Sequence, residues 1–209
     1  MISAQEGLER LMEGNRRFVA DERRSESYAS QAHRAELAAG QAPFAVILGC
    51  SDSRVPVEIV FDQGLGDLFV IRVAGNIVAP SQVSSVEFAA ERFGTRLVVV
   101  LGHTRCGAIE ATLDALRAPP HLRSRDPHSI VDRVRPSVEA LLETELRHDH
   151  DALVRHAVRA NIRASANHLR HGSQVIEQLI QRNGLLVVGA EYSLETGMVE
   201  FFDGVDQAI

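Results

Sequence analysis

The chain has 209 residues, of which 45% are hydrophobic, and this is enough apolar material for one substantial core in a single domain, residues 1–209. Its 28 acidic and 22 basic residues give a formal net charge of −6, which argues against a nucleic-acid partner, since such partners need clustered Lys and Arg. The charged first residues and the lack of a long apolar run argue against a secretory signal and a membrane span. With only two cysteines, we expect a cytoplasmic protein that needs no disulfide and acts on a small molecule.

The first predicted elements are two helices. Ser3 and Glu6 form a capping-box pattern, and apolar residues then recur at helical spacing. A second, short helix is predicted over 33–39, where Gly40 and the following Pro43 end it.

Four short apolar segments then lack the alternation of a half-exposed strand, and such segments are typical of strands buried on both faces of a parallel sheet. They cover 44–48, 68–73, 97–101 and 185–188, and helix-like stretches cover 57–61, 81–93 and 108–117. After a polar, proline-marked segment at 119–127, two long helical stretches are predicted at about 129–147 and 150–182, with a final strand pair turning at Thr196 and Gly197. The alternation predicts an α/β fold with crossover connections.

Both cysteines lie where apolar strands are predicted to end. Cys50 follows the first strand, His103 follows the third, and Cys106 comes three residues after His103. Open parallel sheets bind ligands at the carboxyl ends of their strands. Two thiolates and one imidazole are zinc ligands, and three such ligands leave the fourth tetrahedral position for water or substrate.

Asp52 and Arg54 follow Cys50 at two-residue intervals. Asp52 is a candidate either to occupy the fourth metal position or to hydrogen-bond to whatever does, and Arg54 is spaced to clamp its carboxylate. A buried cysteine is more often only a small apolar residue, but here both cysteines and a histidine end apolar strands together. A structural zinc site would need a fourth Cys or His to close it.

The two motifs resemble those of the β-class carbonic anhydrases. They read Cys-Ser-Asp-Ser-Arg at 50–54 and His-Thr-Arg-Cys-Gly at 103–107, and further likeness lies at 13–18, 64–70, 72–76 and 85–88. The similarity covers nearly the whole chain. It is of the bacterial, plant-like kind, because Ile47 stands where members regulated by bicarbonate carry a tryptophan.

The resemblance implies a Rossmann-like, mostly parallel sheet flanked by helices, with residues 1–40 forming a helical arm that embraces a second subunit. It implies a homodimer or a dimer of dimers, with one Zn²⁺ per subunit held by Cys50, His103 and Cys106. The implied activity is the reversible hydration of CO₂ to bicarbonate and a proton. Zinc-bound hydroxide would attack CO₂, oriented by the dyad of Asp52 and Arg54, and Asp52 could instead move onto the metal.

Five further residues match positions that line the family's substrate cleft. Gln41 matches a glutamine that helps to hold bicarbonate, and Phe69 an aromatic residue supplied by the neighbouring subunit. Gly107 matches the backbone donor that faces the substrate. Val73 and Phe88 also fall at the cleft, where they replace a common asparagine and a common tyrosine.

Two other functions stay open at this point. A zinc-stabilised scaffold protein would keep the fold but would need neither Asp52 nor Arg54. An enzyme that hydrolyses a CO₂ analogue such as carbon disulfide would use the same site behind a narrow tunnel.

Overall fold

The computed structural model describes residues 2–23, 31–119, 126 and 129–205. The helices are α1 (Ala4–Val19), α2 (Gln31–Leu37), α3 (Val57–Val60), α4 (Pro80–Arg92), α5 (Gly107–Arg117), α6 (Ile130–Val138), α7 (His150–His171) and α8 (Gln174–Asn183). The strands are β1 (Ala45–Gly49), β2 (Leu68–Arg72), β3 (Leu97–His103), β4 (Leu186–Tyr192) and β5 (Val199–Asp203). Each predicted strand segment therefore forms a strand, with ends shifted by a few residues.

The five strands form one sheet in the order β2-β1-β3-β4-β5. The first four are parallel, and β5 runs antiparallel to β4. The predicted mostly parallel α/β fold is confirmed. Since parallel strands share one carboxyl edge, the ends of β1 and β3 lie side by side.

The sheet has an apolar core on each face, because successive side chains of a strand point to opposite sides. Val46 and Leu48 of β1 pack under α4, α5, α6 and α7, and Ala45 and Ile47 pack on the other side against α1 and α3. Strands β1 and β3 are fully buried, as their unbroken apolar sequences predict.

Helix α1 begins with the predicted capping box. The amide of Glu6 donates to the Ser3 hydroxyl, and the amide of Ser3 donates to the Glu6 carboxylate. Leu8 and Leu11 are buried on the sheet of the same chain, whereas the described residues of α2 include none that is buried. An arm that embraces a second subunit therefore stays a prediction, and α2 is the part whose side chains are accessible for it.

The two long stretches predicted over 129–147 and 150–182 are helical, but each is interrupted. The first consists of α6, which contains Pro136, and two 3-10 helices, Glu139–Glu143 and Glu145–His148. The second breaks before Ser173, whose hydroxyl accepts from the amides of Val175 and Ile176 and so begins α8. Most of the proline-marked segment, 120–125 and 127, lies outside the described residues.

None of the described helices is long and apolar enough to cross a membrane.

Candidate metal centre

The three candidate metal ligands meet at the carboxyl edge of the sheet. Cys50 directly follows β1, His103 is the last residue of β3, and Cys106 precedes the first turn of α5. Their ligand atoms all lie within 4.8 Å of one another, and the two sulfur atoms are 4.0 Å apart. All three residues are at least 96% buried, with exposures of 4%, 0% and 2%. Such a cluster of soft donors could hold one metal ion of the zinc type.

The His103 ring is oriented for ligation. Its Nδ1 lies 2.9 Å from the backbone oxygen of Thr104, and because a carbonyl oxygen only accepts, Nδ1 carries the hydrogen. Nε2 then has a free lone pair, and it is buried without a hydrogen-bond partner among the described residues. A buried nitrogen left in this way carries a desolvation cost that a metal ion would remove, and the same arrangement orients metal-binding histidines generally.

The pKa values of the two cysteine thiols are shifted in opposite directions. The Cys106 thiol donates to the sulfur of Cys50 and so lowers the pKa of Cys50, while this contact and burial raise the pKa of Cys106. The amide of Gly75, whose nitrogen is 3.3 Å from the sulfur, also stabilises the Cys50 thiolate. The site therefore already favours one thiolate, and a bound cation would favour loss of the second proton.

Asp52 and Arg54 form a two-pronged ion pair beside this cluster. Arg54 Nε donates to Oδ1 at 2.9 Å, Nη2 donates to Oδ2 at 2.7 Å, and the Arg54 amide donates to Oδ1 at 3.0 Å. These hydrogen bonds, the side-chain one first, hold the pKa of Asp52 well below its usual range. Asp52 Oδ2 is 3.8 Å from His103 Nε2, so the ionised carboxylate borders the ligand cluster while it is engaged by Arg54.

Arg72 fixes the loop that carries Cys50 and Asp52. Arg72 is the last residue of β2. Its Nε donates to the backbone oxygen of Cys50 at 3.2 Å, and its Nη2 donates to the backbone oxygen of Asp52 at 2.7 Å. Arg72 falls within the stretch of family likeness at 72–76, but the sequence alone does not indicate this role. Its support of the loop becomes visible only when β2 is paired with β1.

Two of the cleft candidates lie at the same edge as the cluster. The amide of Val73 donates to the oxygen of Gly49, the residue before Cys50, at 3.1 Å. Gly107 is the first residue of α5, directly after Cys106, and apart from its chain neighbours and its own helix backbone no described atom lies within 4 Å of the place where a side chain would start. Its backbone is therefore accessible from the open side.

The other three cleft candidates do not join the cluster within one chain. Gln41 precedes β1 and Cys50 follows it, and a five-residue strand spans roughly 16 Å. Phe69 pairs in register with Val46, near the amino end of β1. It packs at 6.2 Å between ring centroids against Phe88, which is 52% exposed. Gln41 and Phe69 thus lie toward the amino end of β1, away from the metal ligands of their own chain, and Phe88 of α4 packs on Phe69.

Known proteins resemble this chain in sequence and in fold. A family model described as carbonic anhydrase matches residues 45–199. A Mycobacterium tuberculosis protein named carbonic anhydrase 2 is 42% identical over 205 residues, which cover 93% of this chain and 91% of the relative. A Pseudomonas aeruginosa carbonic anhydrase is 36% identical over 179 residues, or 82% of this chain and 78% of the relative.

Solved structures agree. The Coccomyxa β-carbonic anhydrase, in complex with acetazolamide, matches with a TM-score of 0.70 and 28% identity over 92% of this chain and 84% of its own. A β-carbonic anhydrase of Aspergillus fumigatus matches with a TM-score of 0.69 and 27% identity over 87% and 86%. From the matching family model, these relatives and the shared fold, we conclude that the chain belongs to the β-carbonic anhydrase family.

Proposed function

We propose that this protein catalyses the zinc-dependent, reversible hydration of CO₂ to bicarbonate and a proton. The observation that carries the proposal is the ionised carboxylate of Asp52, held by Arg54 at the border of the buried Cys50, His103 and Cys106 cluster. A scaffold protein would need no such pair. The names of the relatives point to the same reaction.

One Zn²⁺ per subunit would be held by Cys50, His103 and Cys106. The residues fit the ion, since the cluster offers two sulfurs and a histidine nitrogen that lacks a hydrogen-bond partner among the described residues. Three protein ligands are typical of a catalytic zinc, which keeps one position for a small molecule. When bound, the ion supplies a Lewis acid that makes water acidic enough to ionise near neutral pH.

Asp52 orients the nucleophile in this proposal. Its low pKa keeps it ionised, so it only accepts hydrogen bonds. It would hold the protonated side of the attacking oxygen and turn a lone pair toward the carbon of CO₂. Arg54 keeps the carboxylate in place through two parallel hydrogen bonds, which fix direction better than one.

A second position of Asp52 would make the enzyme inactive. If Arg54 released the carboxylate, Asp52 could become the fourth metal ligand, since Oδ2 is already 3.8 Å from His103 Nε2. The structure shows the carboxylate on Arg54. We propose this as the form that works, and ligation by Asp52 as the closed alternative.

A second subunit would complete the cleft. Gln41 and Phe69 lie away from the metal ligands of their own chain, so we propose that a partner chain brings its copies of both to the site. The exposed ring of Phe88 and the outer edge of β2 support a homodimer, because unpaired strand edges and exposed aromatic rings favour contact with a second chain. Phe88 and Val73 would form an apolar wall suited to CO₂, and the open backbone of Gly107 would face the substrate.

The reducing interior of the cell suits the two cysteines, and we propose a cytoplasmic location. Their sulfur atoms are 4.0 Å apart, about twice the length of a disulfide bond, and both serve better as thiolate ligands.

The test is stopped-flow CO₂ hydration with zinc analysis of the same samples. Asp52→Asn should keep its zinc and lose about a hundredfold in rate, because it removes the charge that orients the nucleophile. Asp21→Asn is the matched control, since Asp21 also pairs with an arginine two residues later but lies on the surface. A wild-type rate in Asp52→Asn would contradict the proposed mechanism.

Cys106→Ser tests the metal ligands. We expect the variant to lose both zinc and activity, since a hydroxyl is a much poorer zinc ligand than a thiolate. Full zinc occupancy in this variant would overturn the ligand assignment.

A further inference from the structure

The loop between two candidate metal ligands contains a residue in an unfavourable backbone conformation. Arg105, between His103 and Cys106, has a φ of +52°, in the left-handed region that non-glycine residues seldom occupy. Such a conformation persists where neighbouring groups hold it. The contacts of residues 104 and 105 therefore show which groups stabilise this conformation.

Glu195 holds the loop from the turn between β4 and β5. Its Oε1 is 2.7 Å from Arg105 Nε, and its Oε2 accepts from the Thr104 hydroxyl at 2.8 Å. The Thr104 hydroxyl in turn accepts from the amide of Leu194 at 3.0 Å. One carboxylate thus binds two consecutive side chains of the loop.

The electrostatics of Glu195 agree with this geometry. The hydrogen bond from Thr104, with a smaller contribution from the Arg105 charge, lowers the pKa of the carboxyl. Glu195 is therefore ionised at neutral pH and accepts from both neighbours at once.

The backbone of the same loop reaches the dyad. The oxygen of Arg105 accepts from Arg54 Nη2 at 3.2 Å, and this nitrogen also donates to Asp52. The Arg54 side chain is 52% exposed, and an exposed ion pair alone holds its partners only weakly. A fixed carbonyl oxygen therefore supplies a second anchor for the guanidinium.

We propose that Glu195 is a positioning residue for catalysis. Through Thr104 and Arg105 it holds the Arg105 carbonyl in the direction that anchors Arg54, and Arg54 then holds Asp52 toward the reacting molecule. The inference rests on the proposed role of Asp52. It adds to the groups that position Asp52 a residue that lies 91 positions along the chain from Thr104.

The experiment compares zinc-loaded Glu195→Ala and Glu195→Gln with a matched control, Glu200→Ala. Glu200 lies on β5 of the same hairpin and pairs with Arg159, but it is exposed and has no described contact with the loop. We expect kcat/KM for CO₂ hydration to fall about tenfold in Glu195→Ala, as for supports of other metal sites, and less in Glu195→Gln, which keeps one acceptor oxygen. The control should stay within twofold of wild type, and all variants should keep one zinc per chain.

Crystal structures of the same variants give a second measurement that does not depend on rate. In Glu195→Ala we expect Arg105 to leave the left-handed region and the hydrogen bond from Arg54 Nη2 to its oxygen to be lost. A rate within twofold of the control overturns the inference. A slower enzyme with Arg54 and Asp52 in unchanged positions also overturns it, because Glu195 would then affect the rate by a route other than the position of Arg54 and Asp52.

Asp52→Asn separates this inference from the proposed function. If Asp52→Asn is as fast as wild type, the proposed mechanism fails. If Asp52→Asn is slow but Glu195→Ala is not, only the positioning role fails.

Discussion

Replacement of Asn15 by alanine should destabilise the protein strongly, although α1 itself would gain in helix propensity. Asn15 is 6% exposed, and its side chain makes three hydrogen bonds to backbone. Nδ2 donates to the oxygens of Val60 and Gly197 at 3.1 and 2.9 Å, and Oδ1 accepts from the amide of Val199 at 2.8 Å. At about 1 kcal/mol for each bond, we expect the free energy of unfolding to fall by about 2–4 kcal/mol.

Urea denaturation of the zinc-loaded protein measures this loss. Protein concentration must be equal in all samples, because the stability of the proposed homodimer would depend on it. Asn167→Ala is the control, since Asn167 is exposed on α7 and its replacement should change stability by less than about 0.5 kcal/mol. If Asn15→Ala lost no more than the control, the three bonds would not stabilise the fold and the reasoning would be refuted.

Three further predictions concern the site and its support. Gly102→Ala should lower the free energy of unfolding by about 1–3 kcal/mol, because the new carbon would lie 2.5 Å from Ile162 Cδ1. In urea denaturation, the double variant with Ile162→Ala should lose less free energy of unfolding than the two single variants together. Asp52 has a depressed pKa in the folded protein, so its contribution to stability is present above the unfolded pKa of about 3.9 and is lost as the pH falls through the folded pKa. NMR titration of Arg54→Ala should show the folded-state pKa of Asp52 raised toward about 4. Removal of zinc by a chelator should lower the Tm of the wild type by about 4 °C or more and leave Cys106→Ser unchanged, as differential scanning calorimetry would show.

The strands were predictable from the sequence because burial on both faces leaves an unbroken apolar sequence, as in β1 and β3. The helices after residue 129 were harder. Apolar periodicity continues across 129–182, and one interruption depends on a single residue, Ser173. A serine in a helical pattern predicts a helix start only when its hydroxyl meets the amides ahead of it, and this is a matter of structure.

The candidate site was predictable where it depends on strand ends and short spacings, as for Cys50, Asp52, Arg54, His103 and Cys106. Its supports were not. Arg72 and Glu195 act through backbone oxygens and through contacts between distant parts of the chain, which leave no local pattern.

The positions of the three candidate ligands also say when the site can form. Cys50 and Cys106 are 56 residues apart, and they meet only because β1 and β3 are neighbours in the sheet. Before that pairing, only His103 and Cys106 of the three candidate ligands are close together along the chain. In the proposed zinc enzyme, tight metal binding would therefore follow the central strand pairing during folding, and a bound ion would report that this pairing is complete.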